Sequence, residues 1–120
     1  MTPRRIKTYA SDQGYVYEYY FVGKRSALPG ATESAATEYV FDVSADRKST
    51  FAVSIVLLRE AVKSWSATHG RELSDAEQYG AVKMRLFAGF DEIENMFAEG
   101  RRLEVDREAL GQLLSRLGVD

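Results

Sequence analysis

Few residues in this chain of 120 have the type and spacing that chemistry requires. It has one histidine, His69, and no cysteine, which removes thiol nucleophiles, zinc ribbons and disulfide scaffolds together. His69 stands just before Gly70 at the expected end of a helix. The helix dipole favours a cation there, so capping rather than proton transfer is its expected role. Neither Glu72 nor Ser66 completes a triad with it, and nothing singles out a nucleophile. Gly23-Lys24-Arg25 fails as a nucleotide loop, because Glu18 occupies the place of the glycine five positions earlier and Arg25 replaces the hydroxyl residue. Lys24 and Arg25 are still able to hold a carboxylate or phosphate.

Two acidic groupings need weighing. Asp91, Glu92, Glu94, Asn95 and Glu99 crowd one stretch, but at helical spacing they point several ways and lack the Glu-x-x-His pairs of di-iron bundles. They read as a solvated face, and no metal or cofactor is expected. Glu18 and Asp42 would form an acid and base pair if their strands were neighbours in facing register. Directly opposed carboxylates destabilise a sheet, which argues that the register avoids the meeting.

The elements that position these residues divide the chain. Its first half alternates apolar and polar residues with period two, and its second half repeats with period 3.6. The expected fold is therefore α+β: one domain over residues 1–120, with an antiparallel sheet of three to four strands packed on one face by three helices. Expected strands are Ile6 to Ala10, Tyr15 to Val22, Glu38 to Ser44 and Thr50 to Val56, with Arg101 to Val105 as a further extended stretch. Residues 23–37 are rich in Gly, Ala, Ser and Thr and are expected to form a long, flexible loop.

Leu58, Ala61, Val62 and Trp65 recur at helical spacing up to Gly70. Ser74 with Glu77 three residues later forms a capping box, and Tyr79, Val82, Leu86, Phe90, Ile93 and Phe97 continue as one stripe. An unbroken helix to Ala98 would be roughly 36 Å long and would have to cross the domain, bend near Gly89 or project. Asp106 caps a last helix bearing Leu110, Leu113, Leu114 and Leu117.

Strand parity then separates two faces. Odd positions (Tyr15, Tyr17, Tyr19, Phe21, Tyr39, Phe41, Val43, Phe51, Val53, Ile55) make the core face. Even positions, including Glu18, Tyr20 and Asp42, make a mixed face turned toward solvent or another subunit. Met84 and Phe87 lie on a flank of the long helix, offset from its stripe, and are expected either to form an oligomer contact or to be covered by the final helix or Trp65.

Net charge is −2, which gives no overall field for nucleic acid or an anionic membrane. Residues 1–25 hold five basic and two acidic residues, among them Arg4, Arg5, Lys7, Lys24 and Arg25. Nucleic-acid binding would need these five to converge on one surface, and it is the third reading. The longest apolar run, Phe51 to Leu58, is far too short to span a membrane, and no signal-peptide pattern follows Arg4 and Arg5, so the chain reads as cytoplasmic. The leading expectation is a non-enzymatic interaction module, a homodimer with an unknown protein or small-molecule partner. The rival is a small-ligand protein or enzyme with a pocket between sheet and helices, lined by Tyr17, Tyr19 and Tyr39 with Lys24 or Arg25 nearby.

Overall fold

A computed structural model describes residues 5–27 and 35–119. Strands β1 (Lys7–Ala10), β2 (Val16–Ala27), β3 (Ala36–Ser44) and β4 (Phe51–Leu58) run antiparallel in sequence order. Helices α1 (Arg59–His69) and α2 (Asp75–Glu92) follow, then the single turn α3 (Met96–Glu99), strand β5 (Arg102–Val105) and helix α4 (Arg107–Arg116). The α+β architecture is as the two periods require, but the sheet has five strands rather than three to four. The extra strand is β5, which pairs parallel to β4 with Leu103 beside Ile55. Four residues with an exposed-buried alternation carry too little pattern to announce a strand by themselves. Pairing with the free edge of β4 makes them one, and it leaves β4 an interior strand with Val56 in register between Glu38 and Glu104.

Residues 23–27, expected in the long loop, instead prolong β2. The chain is extended there because a bulge at Val22 lets β2 slip one residue and go on pairing with β3, Gly23 against Val40 and Lys24 against Tyr39. At its other end Ala36 and Thr37, also expected in the loop, belong to β3 and pair with Ala27 and Ser26, and the remainder of that expectation, a flexible loop, falls on residues 28–34, outside the described residues.

The second difference lies in α2. Its start is as the capping box requires: Ser74 Oγ accepts from the Glu77 N–H at 3.1 Å, and the Glu77 carboxylate accepts from the Ser74 N–H at 2.9 Å. It ends at Glu92 rather than Ala98, and Gly89 is not the bend. Ile93 is extended (φ −100°, ψ 115°), and Asn95 caps a new turn by accepting the Ala98 N–H at 3.1 Å. The stripe position Phe97 is consequently 61% exposed. Gly89 serves a packing purpose, since a Cβ there would stand 2.8 Å from Leu103 Cδ1. Its absence lets β5 approach α2 closely.

The core lies between the odd face of the sheet and the helices. Tyr17, Tyr19, Tyr39, Phe41, Val43, Val53 and Ile55 are buried against Leu86 and Phe90 of α2, Leu103 and Val105 of β5, and Leu110, Leu113 and Leu114 of α4. Tyr15 and Phe21, expected in that core, are 45% and 40% exposed. Both sit where the cover thins, Tyr15 outside the strand at the β1–β2 turn and Phe21 at the bulge. No helix among the described residues is long and apolar enough to cross a membrane.

Candidate functional site

The even face of the sheet carries a depression of about 160 Å³ where β2 and β3 meet the turn between β3 and β4. Glu18, Tyr19, Tyr20, Asp42 and Ser44 line it from the strands, Ile6 from the residue before β1, and Arg47, Lys48 and Thr50 from the turn. The register decides how the two carboxylates meet. Glu18 lies opposite Ser44 and Asp42 opposite Tyr20, so the acids are diagonal neighbours rather than a facing pair. Tyr20 donates its hydroxyl hydrogen to Asp42. Direct like-charge opposition is avoided, and both acids are kept at one wall of the depression.

The opposite wall is held by the turn. The Asp46 carboxylate accepts the N–H groups of Lys48 at 2.8 Å and Ser49 at 2.9 Å, and these bonds hold its pKa below the usual carboxylate value. Ser44 Oγ accepts the Arg47 N–H at 2.9 Å, which accommodates Arg47 in the left-handed region at φ 64°. The turn thus presents Arg47 and Lys48 as a fixed basic corner. Among the described residues, Glu18, Asp42, Arg47 and Lys48 take part in no ion pair.

The sequence-derived ligand residues do not converge. Tyr17 and Tyr39 are 2% exposed and Tyr19 5%, and their rings are used in packing. Tyr17 stacks on Phe90 at a centroid distance of 4.3 Å, and Tyr39 tilts against Phe21 and Tyr79. These rings fill the space between sheet and helices where a tyrosine-lined pocket would lie. Lys24 and Arg25 point to opposite sides of the sheet. Lys24 lies on the helix side, 3.9 Å from Asp75 and 5.8 Å from the Tyr39 ring centroid. Arg25 lies on the even face and donates Nε–H to Glu38 at 2.7 Å, which lowers the Glu38 pKa despite its burial. With both cations paired to acids and facing apart, and Arg4 outside the described residues, the five basic residues do not form one nucleic-acid surface.

Phe87 is covered from within the chain, by an element other than those expected. Tyr9 of β1 stacks on it at 4.4 Å with the planes 3° apart, and Tyr19 meets it edge on at 5.6 Å. Met84 is half-buried against the core. The same Tyr9 donates its hydroxyl hydrogen to Asp91 Oδ2 at 2.7 Å, and Asp91 Oδ1 accepts the Asp12 N–H at 2.9 Å. Asp91 therefore latches the β1–β2 hairpin to the end of α2 rather than joining a solvated acidic face. Asn95 is likewise occupied as a cap, and among the described residues no group of three or more His, Cys, Asp or Glu is arranged to hold a metal.

His69 Nδ1–H donates to the Trp65 carbonyl at 2.9 Å, with the two rings stacked at 4.0 Å. Because a carbonyl can only accept, the proton must sit on Nδ1, and the ring caps the end of α1.

Two functional features escaped sequence reasoning. The unpaired charges of the turn needed the register of β2 on β3 to reveal their neighbours. Lys83, on the sheet side of α2, did leave a trace: it interrupts the series Tyr79, Lys83, Phe87 at i, i+4 and i+8. Compared with protein-family models, curated proteins and solved structures, the chain matches none.

Proposed function

We propose that the protein is a non-enzymatic interaction module that forms a two-fold homodimer through the uncovered face of its sheet. The observation that carries this reading is the depression with Glu18 and Asp42 on one wall and Arg47 and Lys48 on the other, none of them with an ion-pair partner among the described residues. A two-fold axis places the acidic wall of one copy against the basic corner of the other, so the surface is complementary to itself. Ile6 and Val16, 60% and 43% exposed on the same face, supply apolar area that a partner would remove from water. The oligomer contact thereby moves from the helix flank, where Phe87 already has Tyr9, to the even face. A pocket of tyrosines between sheet and helices has less support, because those rings pack on one another.

Sedimentation velocity of the full chain over a range of concentrations tests this. A dimer is expected that weakens with salt, since exposed pairs are screened. Glu18→Lys in one preparation, and Arg47→Asp with Lys48→Glu in another, should each give folded monomers. Mixing the two should restore a dimer, because the swapped charges match again. Aspartate at position 47 respects the positive φ there. A wild-type chain that stays monomeric at every concentration, or charge variants that remain dimeric, would refute the reading.

A further inference from the structure

Beyond Lys7, the last β1 residue paired with β2 toward this end, the structure has a second depression, on the helix side of the sheet, which shares Tyr19 and Tyr20 of β2 with the depression on the proposed dimer face. Its volume is about 200 Å³, and Arg5, Lys7, Tyr19, Tyr20, Phe21 and Tyr79 line it. Lys7 projects to this side because it pairs with Tyr19, whose ring is under α2. Lys83 reaches toward the same place from α2, its Nζ 5.9 Å from the Tyr19 ring centroid and 5.8 Å from those of Tyr79 and Phe87. Among the described residues, Arg5, Lys7 and Lys83 have no acidic group within 4.0 Å. Two cations thus line an aromatic wall that a third, Lys83, approaches from α2, and none of the three has a counter-charge among the described residues.

The neutral groups point the same way. Among the described residues the hydroxyls of Tyr19 and Tyr79 have no hydrogen-bond partner, yet no buried side-chain polar atom is unsatisfied. Both hydroxyls must therefore open to solvent. Burial raises the pKa of both tyrosines, so they remain protonated donors at neutral pH. Burial first, and the adjacent Lys7 second, lower the pKa of Lys83, a penalty that a bound anion would relieve.

We propose that this depression binds the phosphate of a small phosphomonoester, with Lys7, Lys83 and Arg5 on the phosphate oxygens and the exposed Phe21 ring against an apolar body. A single carboxylate would leave most of the positive charge unmatched, whereas a phosphomonoester carries about −1.5 to −2 at neutral pH and three acceptor oxygens. The volume suits a phosphate with a body of about one ring. The nearby wall supports this division, since Phe21 is 40% exposed and meets Tyr79 edge on at 5.0 Å.

Calorimetric titration of the full chain with phenyl phosphate, inorganic phosphate and phenol separates the contributions. Phenyl phosphate is expected to bind, inorganic phosphate to bind more weakly, and phenol not to bind. Lys7→Gln and Lys83→Gln should each weaken phenyl phosphate at least tenfold, and Lys63→Gln on the exposed side of α1 should leave it unchanged. Should Lys83→Gln unfold, Lys7→Gln on the edge strand decides alone. No binding at millimolar phenyl phosphate, equal affinity for inorganic phosphate, or affinity unmoved in Lys7→Gln would overturn the proposal. So would tighter binding of a single-stranded oligonucleotide that Lys24→Gln weakens equally, which would mean a nucleic-acid surface. The dimer tests read mass and these read affinity, so the two proposals fail independently.

Discussion

Asp91→Ala should unlatch the β1–β2 hairpin from α2. The Asp91 carboxylate accepts two hydrogen bonds from the hairpin, from the Tyr9 hydroxyl at 2.7 Å and from the Asp12 N–H at 2.9 Å. Each charge-assisted bond is worth about 1.5–3 kcal/mol when dry. The site is half-exposed, so water replaces part of each, and a combined loss of about 2 kcal/mol is expected. Tyr9→Phe removes one bond and keeps the Phe87 stack, so it should cost about 1 kcal/mol. If the hydroxyl acts through Asp91, the double variant should cost about 2 rather than 3 kcal/mol, a coupling of about 1 kcal/mol. Urea unfolding reads these differences, since 2 kcal/mol moves the midpoint by about 1 M at an ordinary denaturant slope.

Alkaline titration supplies an independent reading of the same latch. The hydrogen bond to Asp91, then burial, push the Tyr9 pKa from 10.0 up to about 12. A phenol whose folded pKa is raised contributes stability that is complete below its unfolded pKa near 10 and is lost as pH rises toward 12. In Asp91→Ala that phenolate should appear nearer pH 10, identified by subtracting the spectrum of Tyr9→Phe. Strictly additive unfolding energies together with an unmoved Tyr9 titration would refute the latch.

Two further outcomes are expected. Arg71 at 2.9 Å, and then the Ser74 N–H, hold the Glu77 pKa near 2, so its contribution is present above about pH 4.5 and lost as pH falls toward 2; Glu77→Gln should melt lower than wild type at pH 7, with the gap closing across that window. At Gly100 a Cβ would lie 2.3 Å from Met96 Sδ and 3.2 Å from Met96 Cα, so Gly100→Ala should lower the melting temperature, and Met96→Ala in the same chain should not restore it, because Met96 is buried and its truncation leaves a cavity while the backbone contact remains.

The alternation of Tyr17, Tyr19, Tyr39, Phe41, Val53 and Ile55, and the Ser74 and Glu77 capping box, were legible because they depend on neighbours within a few residues along the chain. Side-chain direction in a strand and hydrogen bonding in a helix's first turn are local properties, so composition and spacing determine them. The same local signals ended at the boundaries of elements. Phe97 had the right spacing for the α2 stripe, but the chain leaves the helix at Ile93 and starts again at Asn95.

What the tertiary structure decided is which distant residues meet. The bulge at Val22 reversed parity in the second half of β2, so that Lys24 lies on the helix side with Tyr39 and Arg25 on the even face with Glu38, the reverse of what an unbroken alternation would give. Register placed Glu18 and Asp42 diagonally on the even face, with Arg47 and Lys48 beside them. Tyr9 covers Phe87 from 78 positions away, and β5 becomes a strand only by pairing beside β4. Contacts of this kind exist only after chain segments far apart in sequence have been brought together, so no local period encodes them. The proposed dimer face and phosphate site are made almost wholly of such contacts, and so the composition and motifs disclosed the scaffold and not the sites built on it.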